Sequence, residues 1–151
     1  MASGVTPERP LAEVFASIGE QLGPSDWVPI TAEQMRHFAA ATYLSDLPGA
    51  ELVDGFLLNS LMLGFHWRLW PFRDEGTWAL NYGSDRVRFV TPVYVGDRIR
   101  MTARIEDVRE RGAGRVLVRT SNRIEVDGRE DPAMVADWLC LYLPKGMEAG
   151  A

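Results

Sequence analysis

The sequence predicts an α+β domain in which a long antiparallel sheet curls around one buried helix. Three observations carry this. Asp54 to Trp70, DGFLLNSLMLGFHWRLW, is apolar at Phe56, Leu57, Leu58, Leu61, Met62, Leu63, Phe65, Trp67, Leu69 and Trp70. A helix apolar on almost every side belongs inside a structure rather than on its surface. The stretches after Thr77 are rich in Val, Ile, Thr and Arg and are broken by short glycine turns, which is the composition of paired strands. One of them, Asp97 to Arg109, alternates strictly. Ile99, Met101, Ala103, Ile105 and Asp107 fall on one face, and Arg98, Arg100, Thr102, Arg104 and Glu106 on the other, as in a strand with one wet side.

Taken in order, residues 1–10 read as a loose tail, residues 11–144 as a single domain, and residues 145–151 as a second tail. Leu11, Val14, Phe15, Ile18 and Leu22 keep helical spacing until Gly23-Pro24 ends it. Trp27 to Ile30 is a short extended piece, with Pro29 marking an edge. Thr31 opens a second helix through a capping box, Thr31-x-x-Gln34, in which the threonine oxygen accepts an orphan N–H and the glutamine reaches back. Met35, Phe38, Ala39 and Thr42 share one face of it, and His37 beside them reads as a surface or half-buried helix histidine. Tyr43 to Val53 is a loop turning at Pro48-Gly49. Asp54 then caps the buried helix, where a carboxylate is favoured by free N–H groups and the dipole. The strands follow at Thr77–Val90 with a bend at Gly83-Ser84, at Asp97–Arg109, at Arg115–Val126 and at Ala133–Leu143. Turns at Gly112-Ala113-Gly114 and Asp127-Gly128 join the later ones.

The bulk numbers narrow the function. At 151 residues the chain is large enough for a real core. Its net charge of −5 argues against nucleic acid as the main partner. The central helix is too short and too polar-flanked for a bilayer span. Cys140 is the only cysteine, so no internal disulfide forms. It sits in WLCLYLP as a small buried hydrophobe, in keeping with a reducing compartment. The N-terminus lacks the apolar core of a signal peptide, and the cytoplasm is the default location. Two histidines and one cysteine, far apart, do not make a zinc site. No glycine-rich phosphate loop follows a strand, and no cofactor is expected.

Asn81 to Met101, NYGSDRVRFVTPVYVGDRIRM, resembles the asparagine-tyrosine-glycine strand and proline-valine-glycine turn of the MaoC-like dehydratases, especially their NodN-like branch. Val135 to Pro144 is similar to their closing strand, and Thr31 to Thr42 to the helix before their active-site loop. Asp54 to Leu61 resembles the start of their central helix. The resemblance covers roughly residues 20 to 144 and implies a hot-dog fold, usually paired into a dimer. It also implies hydration or dehydration of the 2,3 double bond of an acyl thioester, commonly on coenzyme A. In such enzymes an aspartate and a histidine activate water, while N–H groups at the start of the central helix hold the thioester carbonyl.

The chain departs from that pattern where the chemistry sits. Ala41-Thr42 is followed by Tyr43-Leu44-Ser45-Asp46, with no histidine before the central helix. Asp54 stands where the family's histidine precedes glycine-phenylalanine, and the loop between is short. The usual dyad is therefore not carried over. The candidates that remain for proton transfer are the carboxylates Asp54 and Asp46, with Tyr43 as proton donor. Gly55 and Phe56 at the helix start, Ser60, His66, Trp67, Asn81 and Tyr82 are the candidates for contacting substrate. Trp67, Trp70 and Phe56 around a carboxylate would raise its pKa into a useful range.

Three readings stay open. One is a hydratase, dehydratase or related isomerase acting on a bulky acyl or polyketide-like substrate, on coenzyme A or a carrier protein. Another is a cyclase of secondary metabolism that orients a reactive substrate in the same pocket. The last is a non-catalytic binding or partner subunit. The expected assembly is a homodimer or a hot-dog heterodimer.

Overall fold

A computed structural model describes residues 7–44 and 51–147. Strand β1 (Arg9–Pro10) leads into a 3-10 helix at Leu11–Ser17, followed by the short strands β2 (Gln21–Leu22) and β3 (Val28–Pro29). Helices α1 (Ala32–Ala41) and α2 (Gly55–Leu69) come next. Strand β4 (Phe72–Arg73) then precedes the long strands β5 (Thr77–Phe89), β6 (Arg98–Glu110), β7 (Val116–Val126) and β8 (Met134–Pro144). The sheet runs β2-β6-β7-β8-β5, with β3 also on the free side of β6. Every pairing among the long strands is antiparallel. The α+β architecture, a curved sheet around one central helix, is the one the sequence predicts, but α2 is buried on one face only: Phe56 and Trp67, expected inside, are exposed. No helix among the described residues is long and apolar enough to cross a membrane.

Local chemistry explains most element ends. The capping box at Thr31 is formed: its Oγ1 accepts from the Gln34 N–H at 3.2 Å, and its own N–H donates to Gln34 Oε1 at 2.8 Å. The β6–β7 and β7–β8 turns place Gly112, Gly114 and Gly128 at positive φ, where side chains are strained. Leu57, Leu58, Met62 and Phe65 of α2 pack on the inner residues Ile99, Met101, Ile105, Ile124 and Met134, all nearly inaccessible to solvent.

Three details differ from the sequence reading. The first helix is a 3-10 segment ending at Ser17. Gln21-Leu22 instead extends to pair with Arg104 and Ala103 of β6, so sheet pairing overrides the helical spacing that continued to Leu22. In β6 the register slips between Ile105 and Asp107. The bulge at Glu106 turns Asp107 outward beside Arg109 and sends Val108 into the core, because an extra residue flips the alternation beyond it. The tail regions also begin to pack early. Arg9 pairs with Glu20 at 2.9 Å and lies over the Phe72 ring, 4.5 Å from its centroid, while the Lys145 N–H donates to the Gly76 carbonyl at 2.8 Å.

The two faces of the sheet divide the chemistry. The inner face is mostly apolar, with Thr120 and Asn122 of β7 buried on it. The outer face carries a ladder of ion pairs: Arg100 with Glu125 at 2.7 Å, Arg109 with Asp107 at 2.6 Å, and Arg123 with Glu125 at 3.6 Å. Asp137, almost buried, is bracketed by Arg86 and Arg119. Strand β5 stands apart. Among the described residues it has a neighbour on one side only, and of its thirteen residues all but Thr77 and Val87 are exposed. Helix α2 lies over β6 and β8 and meets the inner face of β5 at Phe89, leaving much of the rest of that strand exposed.

Candidate functional site at the start of the central helix

The start of α2 is built around its cap. Asp54 is extended, at φ −64 and ψ 134, and its Oδ1 accepts the Phe56 N–H at 2.7 Å. Its carbonyl accepts the N–H groups of Leu57 and Leu58 at 3.1 and 3.2 Å. One carboxylate oxygen is thus fixed on the helix, and Oδ2 lies outside that bond. The cap also occupies the Phe56 N–H, a donor that a bound carbonyl oxygen would need. An oxyanion at this position therefore has to displace Asp54 or share the helix end with it.

Aromatic residues crowd the same spot. A side chain on Gly55 would place its Cβ 2.9 Å from the Phe89 ring, so only glycine allows this approach of helix to strand. Phe56 meets Phe89 edge-on at 6.3 Å between centroids. Phe56 is 71% exposed, Phe89 47% and Val90 50%, an apolar cluster facing solvent beside a carboxylate. Ser60 Oγ donates to the Phe56 carbonyl at 2.8 Å, one turn further along. Gly55→Ala is expected to push the Phe89 ring aside and cost about 1–3 kcal/mol through overpacking. A thermal melt of the variant checks this, and an unchanged melting temperature would show that the ring yields freely.

The other predicted residues lie elsewhere. Trp67 is thirteen positions after Asp54, about 20 Å along the helix axis, so neither it nor Trp70 walls that carboxylate. This corrects the expected aromatic enclosure, and the reason is the rise of the helix itself. His66 is buried at the far end, stacked on Trp70 at 4.9 Å and edge-on to Trp138 at 4.3 Å. Burial pushes its pKa down to about 3, with Asn122 opposing and Arg73 reinforcing the shift, so the imidazole is neutral near pH 7. Its Nδ1 has no partner among the described residues. Cys140 is buried beside Tyr142, and burial pushes its thiol up to about 12, which leaves it without thiolate at neutral pH. Tyr43 follows α1 with φ 59 and is almost fully exposed. Asp46 lies outside the described residues.

Asn81 and Tyr82 sit on β5, roughly 20–25 Å along the strand from Phe89. Asn81 pairs with Cys140 and Ser84 with Trp138, whose side chains are in the core, so both face the open concave side. The register slips between Asn81 and Gly83, and Tyr82, at that bulge, borders a cavity with Leu141 on the outer face. Within one chain the structure brings together Asp54, Gly55, Phe56 and Ser60 and leaves Asn81, Tyr82, His66 and Trp67 apart from them. Sequence reasoning missed Phe89 and Val90. The available signal was a glycine directly after a capping aspartate, which implies a close neighbour.

The chain is 33% identical over 145 residues to 3-hydroxyacyl-thioester dehydratase Z of Mycobacterium tuberculosis, spanning 88% of this chain and 95% of that protein. It is 31% identical over 147 residues to Nodulation protein N of Rhizobium leguminosarum bv. viciae, spanning 89% and 91%. The chain belongs to the MaoC-like dehydratase family. Solved structures give this member of the family a hot-dog fold. The monoamine oxidase regulatory protein from Archaeoglobus fulgius superposes with a TM-score of 0.74 at 20% identity, covering 91% of this chain and 95% of that one. The MaoC-like dehydratase from Rhodospirillum rubrum gives 0.64 at 12% identity, covering 86% and 94%. No family model matches the chain.

Proposed function

We propose that this MaoC-like protein adds water across, or removes it from, carbons 2 and 3 of a bulky acyl thioester or polyketide-like substrate, using a carboxylate-based site at the start of α2. The observation that carries this is the Asp54 carboxylate, held by one oxygen on the Phe56 N–H at 2.7 Å beside the exposed Phe56, Phe89 and Val90. In the dehydration direction Asp54 Oδ2 takes the proton from carbon 2, and the electron pair moves toward the thioester oxygen near the helix N–H groups. The pair then returns to form the carbon 2–carbon 3 double bond as the carbon 3 hydroxyl leaves as water with a proton from Tyr43 or Asp46. The relative named for 3-hydroxyacyl thioesters supports the substrate class. A mass-spectrometric assay against 2-enoyl and 3-hydroxyacyl thioesters, short chains through polycyclic ones, tests it. A gain or loss of one water supports the reading, and silence across the panel removes it.

The working form in this proposal is a dimer joined edge to edge through β5. A thirteen-residue edge with no second neighbour among the described residues, carrying exposed Trp78, Leu80, Tyr82 and Phe89, is a surface that proteins usually cover. Antiparallel pairing of two such edges brings the Asn81 end of one strand beside the Phe89 end of the other. The substrate contacts separated within one chain would then meet across two. Ser84→Lys, near the middle of the edge, should set like charges against each other. Light scattering should shift from dimer to monomer, and an unchanged dimer would place the interface elsewhere.

The position of the histidines favours a second reading. His37 is exposed beside Glu33 and His66 is enclosed in the core, while the helix start itself carries a carboxylate, Asp54. A non-catalytic subunit completed by a different hot-dog chain would need neither. Water exchange appearing only on co-expression with such a chain would select that reading.

A further inference from the structure

The entries to both helices hang on the connection Pro92–Asp97, between β5 and β6. On one side it bonds the residues just before α2. The Val53 N–H donates to the Val93 carbonyl at 2.8 Å, and the Val95 N–H to the Glu51 carbonyl at 2.9 Å. Val53 and Val93 are both buried, so water does not compete for that bond, and Asp54 is the next residue. On the other side the Gly96 N–H donates to the Ile30 carbonyl at 2.8 Å, and the Ile30 N–H to the Asp97 carbonyl at 2.9 Å. Thr31 follows and opens α1, the helix that ends beside Tyr43. The connection also begins two residues after Val90. It therefore sets the cap carboxylate, the apolar wall of Phe89 and Val90, and the helix before Tyr43 relative to one another.

One side chain grips this connection at both ends. Arg129, in the β7–β8 turn, donates through Nη1 to the Pro92 carbonyl at 2.6 Å and through Nη2 to the two Asp97 oxygens at 3.1 and 2.9 Å. Asp97 is held in turn, its Oδ2 accepting the Tyr94 N–H at 2.8 Å. A planar guanidinium has a fixed fork, so it sets the separation of Pro92 and Asp97. The turn that carries it is itself anchored. The Arg129 N–H donates to the Val126 carbonyl at 3.1 Å, the Asp127 N–H to the Arg98 carbonyl at 2.9 Å, and Arg98 Nη1 to Asp127 Oδ2 at 3.1 Å. The side chains of Arg129 and Asp97 are only 32% and 22% exposed, which strengthens a charge-assisted bond.

We propose that Arg129 is a positioning residue for the reaction: through Pro92, Asp97 and Val93 it fixes where Asp54 stands relative to Phe89 and Val90. It acts at a distance, by clamping the main chain that carries the reacting group. Such placement matters because a displacement of about 1 Å can cost up to about 10²-fold in rate. The effect on turnover rests on the role proposed for Asp54 above, whereas the clamp's hold on the α2 cap does not.

Amide hydrogen exchange of the full chain, with no substrate present, reads that hold directly. In Arg129→Met the amides of Val53, Val95 and Phe56 should exchange about tenfold faster, while those of Val118 and Cys140, far from the turn, keep their native rates. On a thioester that the native protein hydrates or dehydrates, kcat should fall about tenfold with KM nearly unchanged, because the displaced group moves a proton and does not bind substrate. Arg129→Lys keeps the charge without the fork. It should recover part of both effects and leave the pH profile at its native position, since the base is the same. Where Arg129→Met does not fold, Arg129→Lys carries both measurements. Native exchange at Val53 and Phe56 in the variant would overturn the proposal, as would faster exchange with an unchanged kcat, or a rise in KM alone. If those amides loosen while the native protein turns over no thioester, the hold on the cap stands and the hydratase reading falls. If Asp54→Asn abolishes a turnover that Arg129→Met leaves intact, the hydratase reading stands and the clamp falls.

Discussion

Asp54→Asn is expected to lower turnover by about 10²- to 10⁴-fold, the range attributed to a positioned general base, while the melting temperature stays almost unchanged. The two halves of this expectation rest on different properties of one side chain. As a cap, Asp54 offers an oxygen to the Phe56 N–H, and asparagine serves at that position about as well. As a base, the other oxygen must carry negative charge, which an amide cannot. Asp54→Ala separates the roles in the opposite sense: it loses the base and also about 1 kcal/mol of cap. Steady-state assays with parallel melts read both effects. If Asp54→Asn retains full activity, the proton is moved by another group, and Asp46 and Tyr43 become the next to replace.

A second large effect is expected in stability at acid pH. His66 is enclosed by Trp70 and Trp138 near Asn122, with Arg73 the charged group acting on it. Its pKa is about 3 in the folded protein against an ordinary 6.5. Between those values the unfolded chain holds a proton that the folded chain refuses. The contribution of His66 to stability is therefore full above about pH 6.5, falls as the pH drops through the window, and levels off near pH 3. At about 1.4 kcal/mol per pH unit the loss reaches about 4–5 kcal/mol, a large share of an ordinary domain's stability. The interval from pH 6.5 to 5 isolates the histidine, because most carboxylates have not yet begun to protonate there, and about 2 kcal/mol should be lost within it. Urea titrations at half-unit steps measure this. His66→Leu should flatten that part of the curve, and an identical slope in the variant would assign the acid sensitivity elsewhere.

Elements governed by their own residues were readable from the chain. The capping box at Thr31, the cap at Asp54, the glycine turns and the apolar central helix are local statements, and each is present, although that helix keeps one face open to solvent at Phe56 and Trp67. What escaped was decided by neighbours. Gln21-Leu22 keeps helical spacing but takes an extended form because β6 offers free main-chain groups. Asp107 alternates inward on paper, yet one bulged residue exchanges it for Val108. For the site, the start of α2 was legible because a capping aspartate followed by glycine is a local signature. The enclosure of Asp54 by tryptophans was not, since residues close in a list of aromatics can sit three turns apart on a helix. Asn81 and Tyr82 show the same limit between chains: a single sequence does not say which edge meets which.

The outer-face ladder has a practical consequence in its choice of cation. It is written entirely in arginine, and Lys145 is the chain's only lysine. Amine-directed reagents therefore find one side-chain target besides the N-terminal amine. Lys145 holds its ammonium 5.0 Å over the Trp78 ring, at the beginning of the open edge strand. A dye attached there sits within quenching range of an indole and next to the surface where a second copy would dock. One labelling step on the unmodified protein would thus give an optical reporter of assembly, with every arginine of the ladder left untouched.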